Sequence, residues 1–258
     1  MRVGKILAME RAQVTQNRHF YLPLMGGLAL LAWIGTIATT YNAELGGLFD
    51  FVQSLVGIYI ALIVARTVLL GQDKAQSGAP VFPYFGNALL IMLLLSLVLL
   101  PFMVAAAGLF HYAFGATDAI WEGTYQAMTD DWWAALPYDN ADSGLLVAAA
   151  GVVLLAMVVV SYVGARFFFC MPGVALGRKP YGFVEGWRDS AAVALSLVFA
   201  CWTVILAVSV VLGTLGYLLS IVHNWLGLVA FSFIEGVLGV AIPVVFAVTW
   251  QRHIGSSD

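Results

Sequence analysis

The sequence predicts an all-α membrane protein of six transmembrane helices, with both termini in the cytoplasm. Three observations lead to this prediction. The 258 residues are 62% hydrophobic and only 10% charged, whereas a soluble domain carries about 25% charged residues. The apolar residues form long continuous runs, which favours helices over the alternating pattern of a membrane β-barrel. All eleven Lys and Arg residues fall on one side of the six-span pattern, which sets its orientation.

Each predicted span exceeds the roughly 20 residues that cross the hydrocarbon core of a bilayer. The six spans cover residues about 20–40, 48–71, 84–114, 143–170, 189–222 and 225–250. The third and fifth are longer than one crossing requires, so they must tilt, bend or extend beyond the lipid. Pro101 gives the third span a site for a kink. We therefore interpret residues 1–258 as a single membrane domain whose largest loop, residues 115–142, lies on the outer side.

The basic residues also predict location and lipid contacts. The positive-inside rule places the segments that carry them in the cytoplasm, and we expect a multi-pass protein of the bacterial inner membrane. Seven basic residues are predicted to contact lipid headgroups: Arg2, Lys5, Arg11, Arg18, Arg178, Lys179 and Arg188. On the opposite side, the charged residues are all acidic: Glu44, Asp50, Asp118, Glu122, Asp130, Asp131, Asp139 and Asp142. This acidic side argues against a nucleic-acid partner.

Glu235 is the only acidic residue that lies well inside a predicted span. A carboxylate near the bilayer midplane is a functional hypothesis by default. It could carry a proton, bind a cationic substrate, pair with Arg66 or Arg166, or make a structural hydrogen bond as a protonated acid. One isolated acid is a poor relay, so we expect Glu235 to be shielded from lipid and to contact a polar group or Arg on another helix. Small residues nearby would let that helix approach closely: Ser232, Gly236 and Gly239.

The outer loop is rich in aromatic residues. Five of them form a candidate surface for docking a partner: Trp121, Tyr125, Trp132, Trp133 and Tyr138. Aromatic side chains are ordinary anchors at the membrane interface, and they also dominate binding hot spots, so both interpretations stay open. The apolar spacing predicts a short helix over residues 117–128.

The N-terminal residues 1–18 carry a weak apolar stripe between basic residues, which predicts an amphipathic helix in the inner interface. Cys170 and Cys201 are placed too far apart along their spans for a disulfide. His111 and His223 lie at the outer boundary, where a metal, haem or pigment ligand stays open, although no ligand spacing supports one. We therefore expect no cofactor.

The connection after the fourth span has a recognisable pattern. It reads Arg166-Phe-Phe-Phe-Cys170-Met-Pro172-Gly173 and then Gly182-Phe-Val-Glu185-Gly-Trp-Arg188-Asp-Ser190. Residues 162–195 thereby resemble a group of bacterial six-helix membrane proteins that includes the membrane region of some glycerophosphodiester phosphodiesterases. The resemblance implies the span layout and no hydrolase activity. Physically, Pro172 marks the end of one helix, and Asp189 or Ser190 is predicted near the N-terminal end of the next.

Two classes of function remain open. The first is a non-catalytic accessory or scaffold protein that associates laterally with other membrane protein subunits in a larger assembly. The alternative is a transporter of a small solute or lipid, with Glu235 in the pathway. We do not expect an enzyme, because intramembrane catalysis needs a positioned nucleophile or metal set, and the sequence shows neither.

Overall fold

A computed structural model describes residues 3–113, 142–178 and 182–254. Six of the described helices are long and apolar enough to cross a membrane, so the chain is an all-α, multi-pass membrane protein, as predicted. The described helices are α1 (Val3–Gln16), α2 (Arg18–Tyr41), α3 (Ala43–Leu70), α4 (Val81–Ala113), α5 (Ser143–Phe168), α6 (Met171–Ala175), α7 (Phe183–Ser190), α8 (Ala194–Val222) and α9 (Asn224–Ile254). A short 3₁₀ helix, Gln72–Lys74, follows α3.

The start of the fifth span differs from the prediction. Residues 183–190 form the separate helix α7, and the spanning helix α8 begins only at Ala194. Asp189 and Ser190 therefore lie at the C-terminal end of α7, and the prediction that they begin the spanning helix is wrong. The intervening turn contains no Gly or Pro, so the sequence carries no local signal for the break.

Contacts from other helices explain this break. The last carbonyl groups of a helix have no partner within it. Near the end of α7, the Arg166 guanidinium donates to the Trp187 carbonyl oxygen, and a ring nitrogen of His253 lies 3.0 Å from the Asp189 carbonyl oxygen. Side chains from α5 and α9 thus occupy the C-terminal end of α7, which favours ending the helix there.

The described chain divides into two compact units. The larger unit comprises Met1–Ile91 and Ala165–Asp258, and the smaller comprises Met92–Gly164. In the larger unit, α9 packs against α1, α2, α3 and α8. The side chains of Val240, Val244 and Val248 are completely or almost completely buried along α9. This helix is therefore the centre of the larger unit.

Close approach of α2 and α9 depends on small residues. A Cβ atom added at Gly236 would clash with the Met25 carbonyl oxygen and lie 3.0 Å from the Ala29 nitrogen. A Cβ atom at Gly239 would meet a methyl group of Leu28 at 2.6 Å. The expectation that small residues around Glu235 admit a neighbouring helix is therefore confirmed, and that helix is α2.

Helix α1 packs within the larger unit. The predicted N-terminal helix is present, and its Ile6 side chain is completely buried. Helix α1 packs against α8 and α9, and Arg252, near the end of α9, donates to the Met9 sulfur at 3.2 Å. Its apolar stripe therefore packs at least partly on protein, and its place in the membrane interface stays a prediction.

Few of the described side chains in the smaller unit are buried. Leu93, Leu97 and Leu154 are each more than half exposed. Lipid tails are as apolar as leucine, so such residues need no protein partner in a bilayer. Within this unit, Leu95 on α4 approaches Gly164 on α5, with a side-chain carbon 3.5 Å from where a Cβ atom would lie.

Candidate functional site

Glu235 forms a hydrogen bond with Gln53 of α3. The Gln53 Nε2 atom donates to Glu235 Oε2. At 1.5 Å per residue, Gln53 lies about 15 Å and Glu235 about 16 Å from the first residue of its own helix. The prediction that Glu235 contacts a polar group on another helix is confirmed. The partner is the amide of Gln53, and not the guanidinium of Arg66 or Arg166.

The chain by itself leaves Glu235 accessible. Glu235 is exposed and Gln53 is half-buried in the single chain, so the shielding of Glu235 from lipid stays a prediction. The neighbouring Ser232 and Gly236 are buried. The side of α9 that packs on α2 therefore carries the small residues, and Glu235 lies at the edge of that contact.

Asp50 belongs to the same region. It lies one helical turn before Gln53, and residues three apart share a face of a helix. The Asp50 Oδ1 and Gln53 Oε1 atoms lie 3.6 and 3.8 Å from the position that a Cβ atom at Gly35 would take. We refer to Asp50, Gln53 and Glu235 as the polar cluster. The two carboxyl groups can accept protons or bind cations, and the amide can donate and accept hydrogen bonds. None of the three is an activated nucleophile.

The sequence pattern indicates one member of the polar cluster, Glu235, and not Asp50 or Gln53. Asp50 was placed on the outer face because the second span was predicted to begin at residue 48. Helix α3 begins at Ala43, where the Asn42 side chain accepts hydrogen bonds from the Glu44 and Leu45 backbone nitrogens. Asp50 is thus about 10 Å along the helix. Asn42 was the available sequence signal for this earlier helix start, because Asn is a preferred N-cap residue.

Arg66 has a structural role near the end of α3. Its guanidinium donates to the carbonyl oxygens of Ala75 and Ala175, both at 2.7 Å. It also donates to Lys74 and Ser77 at 3.3 and 2.6 Å. Arg66 is 5% exposed. It therefore joins the α3–α4 connection to α6 through backbone acceptors and does not extend the polar cluster.

Arg166 fixes α7 against the end of α5. Its guanidinium carbon lies 4.0 Å from the centre of the Trp187 ring, its Nε donates to Ser190 Oγ at 3.2 Å, and it donates to the Trp187 carbonyl oxygen. A planar guanidinium can stack on an aromatic ring while its edge donates hydrogen bonds. Arg166 is thus a second arginine that holds the connections between spans in place.

The predicted headgroup-binding residues within the described ranges are exposed. Lys5, Arg11, Arg18, Arg178 and Arg188 all have accessible side chains. The Arg178 guanidinium also lies 5.1 Å from the Trp250 ring centre, and Arg188 pairs with Asp189 at 3.3 Å. Their contact with lipid stays a prediction.

Several predicted site residues lie outside the described ranges. They are the headgroup residues Arg2 and Lys179, and the aromatic docking residues Trp121, Tyr125, Trp132, Trp133 and Tyr138. The helix predicted over residues 117–128 lies outside them as well. Among the residues that the structure describes, no group of three or more His, Cys, Asp or Glu side chains is arranged to hold a metal ion.

Comparisons with protein-family models, curated proteins and solved structures found no match for this chain. The resemblance of residues 162–195 to the membrane region of phosphodiesterase-type proteins therefore stays a prediction.

Proposed function

We propose that this chain is a non-catalytic accessory or scaffold protein of the bacterial inner membrane, acting by lateral association with a larger membrane assembly. The observation that supports this most directly is the exposed Glu235–Gln53 pair, far from either end of its helices. A polar pair at this depth needs a partner that lipid does not supply.

Magnitudes support the need for a partner. A charged side chain at the centre of a membrane helix costs about 2.5–3.5 kcal/mol on insertion scales. A hydrogen bond between membrane helices contributes about 0.6 kcal/mol on average and about 1.7 kcal/mol at most. The bond from Gln53 therefore does not offset the cost of an ionised Glu235 facing lipid. A helix of another subunit that offers a donor or a cation would reduce this cost.

The two arginines support the same proposal. Arg66 and Arg166 are both engaged with backbone oxygens at the connections between helices. Residues used in this way stabilise the fold and do not line a polar pathway. The polar cluster, by contrast, places the exposed carboxyl groups of Asp50 and Glu235 inside the spans, where a helix of another subunit can reach them.

The proposal is tested by removing the polar pair without disturbing the helix contact. The double variant Glu235→Leu/Gln53→Leu replaces both members of the pair with apolar side chains and retains Asp50, and Ser96→Leu is the control. Ser96 is exposed, and its hydroxyl group bonds within its own helix to the Met92 carbonyl oxygen. The mass of the complex purified in mild detergent is measured by light scattering, and the stability of the separated chain by thermal unfolding.

We expect the double variant to separate from its assembly while its isolated chain stays at least as stable as wild type. The Ser96→Leu variant should remain in the assembly. A wild-type chain that is monomeric in native lipid, or a double variant that stays assembled, would contradict the proposal.

The alternative function is transport of a small solute or lipid through a pathway that contains Glu235. The proximity of Asp50 and Gln53 to Gly35 favours it, because a second carboxyl group makes Glu235 less isolated than the sequence indicated. Purified protein in liposomes tests this alternative. Solute movement that is lost in Glu235→Gln, with folding intact, would establish transport and replace the scaffold proposal.

The proposed orientation places both termini in the cytoplasm, because all eleven basic residues lie on that side of the span pattern. Single cysteines introduced at Asp130 and at Ser256 test it. With both native cysteines removed, an impermeant thiol reagent should label the first position in sealed cells and the second only after lysis. Equal labelling of the two positions would contradict the orientation.

A further inference from the structure

A groove of about 390 Å³ lies beneath α1 in the larger unit. Helix α1 forms its roof, and α2, α8 and α9 form its walls. Its apolar lining includes Val14, Met25, Ala207, Val208 and Ala241. The volume is within the range of about 300–1,000 Å³ that small-molecule sites occupy.

The walls of the groove extend inward from the end of the spans that carries the basic residues. Met25 is seven residues, about 10 Å, along α2 from Arg18, and Ala207 is about 20 Å along α8 from Ala194. The contact of Arg252 with Met9 places α1 near the C-terminal end of α9. The groove therefore extends from the roof helix into the apolar part of three spanning helices.

The roof adds polar groups to this apolar groove. Glu10, Arg11 and Thr15 all line it, and the Arg11 side chain is exposed. Burial disfavours the ionised form of the Glu10 carboxyl and raises its pKa. A guanidinium and a hydroxyl group next to an apolar groove match a phosphate attached to a hydrocarbon chain, because arginine binds phosphate through several parallel donors.

We infer that this groove holds one acyl chain of an anionic phospholipid from the surrounding bilayer, with the lipid phosphate bound at Arg11. The apolar walls accommodate the chain, and the positive charge on the roof selects the headgroup. This site is independent of the polar cluster on α3 and α9, and its existence does not depend on the proposed scaffold function.

The test uses the purified full chain in detergent and native mass spectrometry. Three probes are titrated: phosphatidylglycerol, phosphatidylcholine with the same acyl chains, and oleate. Ala207→Phe fills the groove from an exposed position. Its control is Ala150→Phe, the same change at an exposed position of α5. Arg11→Gln removes the charge on the roof, and Lys74→Gln is its control, because Lys74 is exposed and does not line the groove.

We expect phosphatidylglycerol to bind more tightly than phosphatidylcholine. Ala207→Phe should abolish this binding and Ala150→Phe should leave it unchanged. Arg11→Gln should reduce the preference for the anionic lipid about tenfold, as expected for the loss of one charge-assisted contact, whereas Lys74→Gln should preserve it. Circular dichroism and thermal unfolding verify that each variant folds. If Ala207→Phe does not fold, Thr203→Phe fills the groove from another exposed position.

Three results would overturn the inference. The first is lipid binding that survives in the folded groove-filling variant. The second is equal loss of binding in Ala207→Phe and Ala150→Phe. The third is oleate binding as tightly as phosphatidylglycerol, which would assign the groove to a free fatty acid.

Discussion

Replacing Arg66 by leucine tests the structural role that its contacts indicate. The guanidinium donates four hydrogen bonds to backbone oxygens, one in the 3₁₀ turn that follows α3, two in the loop beyond it and one in α6. Leucine retains apolar bulk and removes every donor. The variant therefore isolates the contribution of these hydrogen bonds to the stability of the connection between α3 and α4.

The magnitude follows from how deeply the acceptors are buried. Ala75 and Ala175 are 1% and 0% exposed, so their carbonyl oxygens cannot exchange the lost donor for water. Each buried acceptor left without a partner costs about 1–3 kcal/mol, so two cost about 2–6 kcal/mol. The Lys74 and Ser77 residues are exposed and can bond to water. Removing a desolvated charge opposes the loss, so we expect Arg66→Leu to lower the free energy of unfolding by about 2–4 kcal/mol.

The assay is reversible unfolding in mixed detergent micelles, followed by circular dichroism. Arg188→Leu is the control, because the Arg188 side chain is 77% exposed and pairs with Asp189 at 3.3 Å. Exposed pairs contribute about 0–1 kcal/mol, so this variant should remain close to wild type. If the free energy of unfolding of Arg66→Leu is within about 0.5 kcal/mol of the wild-type value, the Arg66 hydrogen bonds do not stabilise the connection.

Two further predictions use the same measurement. Gly236→Ala should destabilise the chain by about 1–3 kcal/mol through overpacking against the Met25 carbonyl oxygen. The control Gly47→Ala, with open space around its added Cβ atom, should be neutral or slightly stabilising. Equal effects of the two substitutions would contradict the close contact of α2 and α9. Because burial raises the pKa of Glu10, its folded form binds a proton more tightly than its unfolded form. Its stability contribution is therefore most favourable below the unfolded pKa and declines as the pH rises through the folded pKa. Glu10→Gln should remove this decline in stability with rising pH, and the control Asp73→Asn should retain it. An unchanged pH profile of stability in Glu10→Gln would refute the prediction.

Helix α7 shows where local sequence information ends. The run from Asp189 onward has composition and length that suit a spanning helix, and Ala191–Val193 contains no breaking residue. The break occurs where Arg166 and His253 reach backbone oxygens of residues 187 and 189. Such contacts join residues distant in sequence, so no local pattern could have located the start of α8.

The polar cluster shows a similar division. Glu235 was identifiable from sequence because a carboxylate inside an apolar run is rare and costly. Gln53 was not, because an uncharged amide near the start of a span has no distinctive pattern. Its significance arises only when packing places α3 beside α9 at the same depth. The exposure of Glu235 also depends on packing, because it reflects which side of α9 contacts α2.

The sequence by itself determined that the chain lies in a membrane, how many spans it has and that a helix packs closely around Gly236. Those features depend on apolar run length and on residue size, which are local properties of the chain. Tertiary structure alone decided that Arg66 and Arg166 bind backbone oxygens, that Gln53 bonds to Glu235, and that α1 covers a groove. The physical reason is that a long polar side chain can bond to many acceptors of similar strength. Only the relative positions of the helices decide which acceptor lies within hydrogen-bond distance.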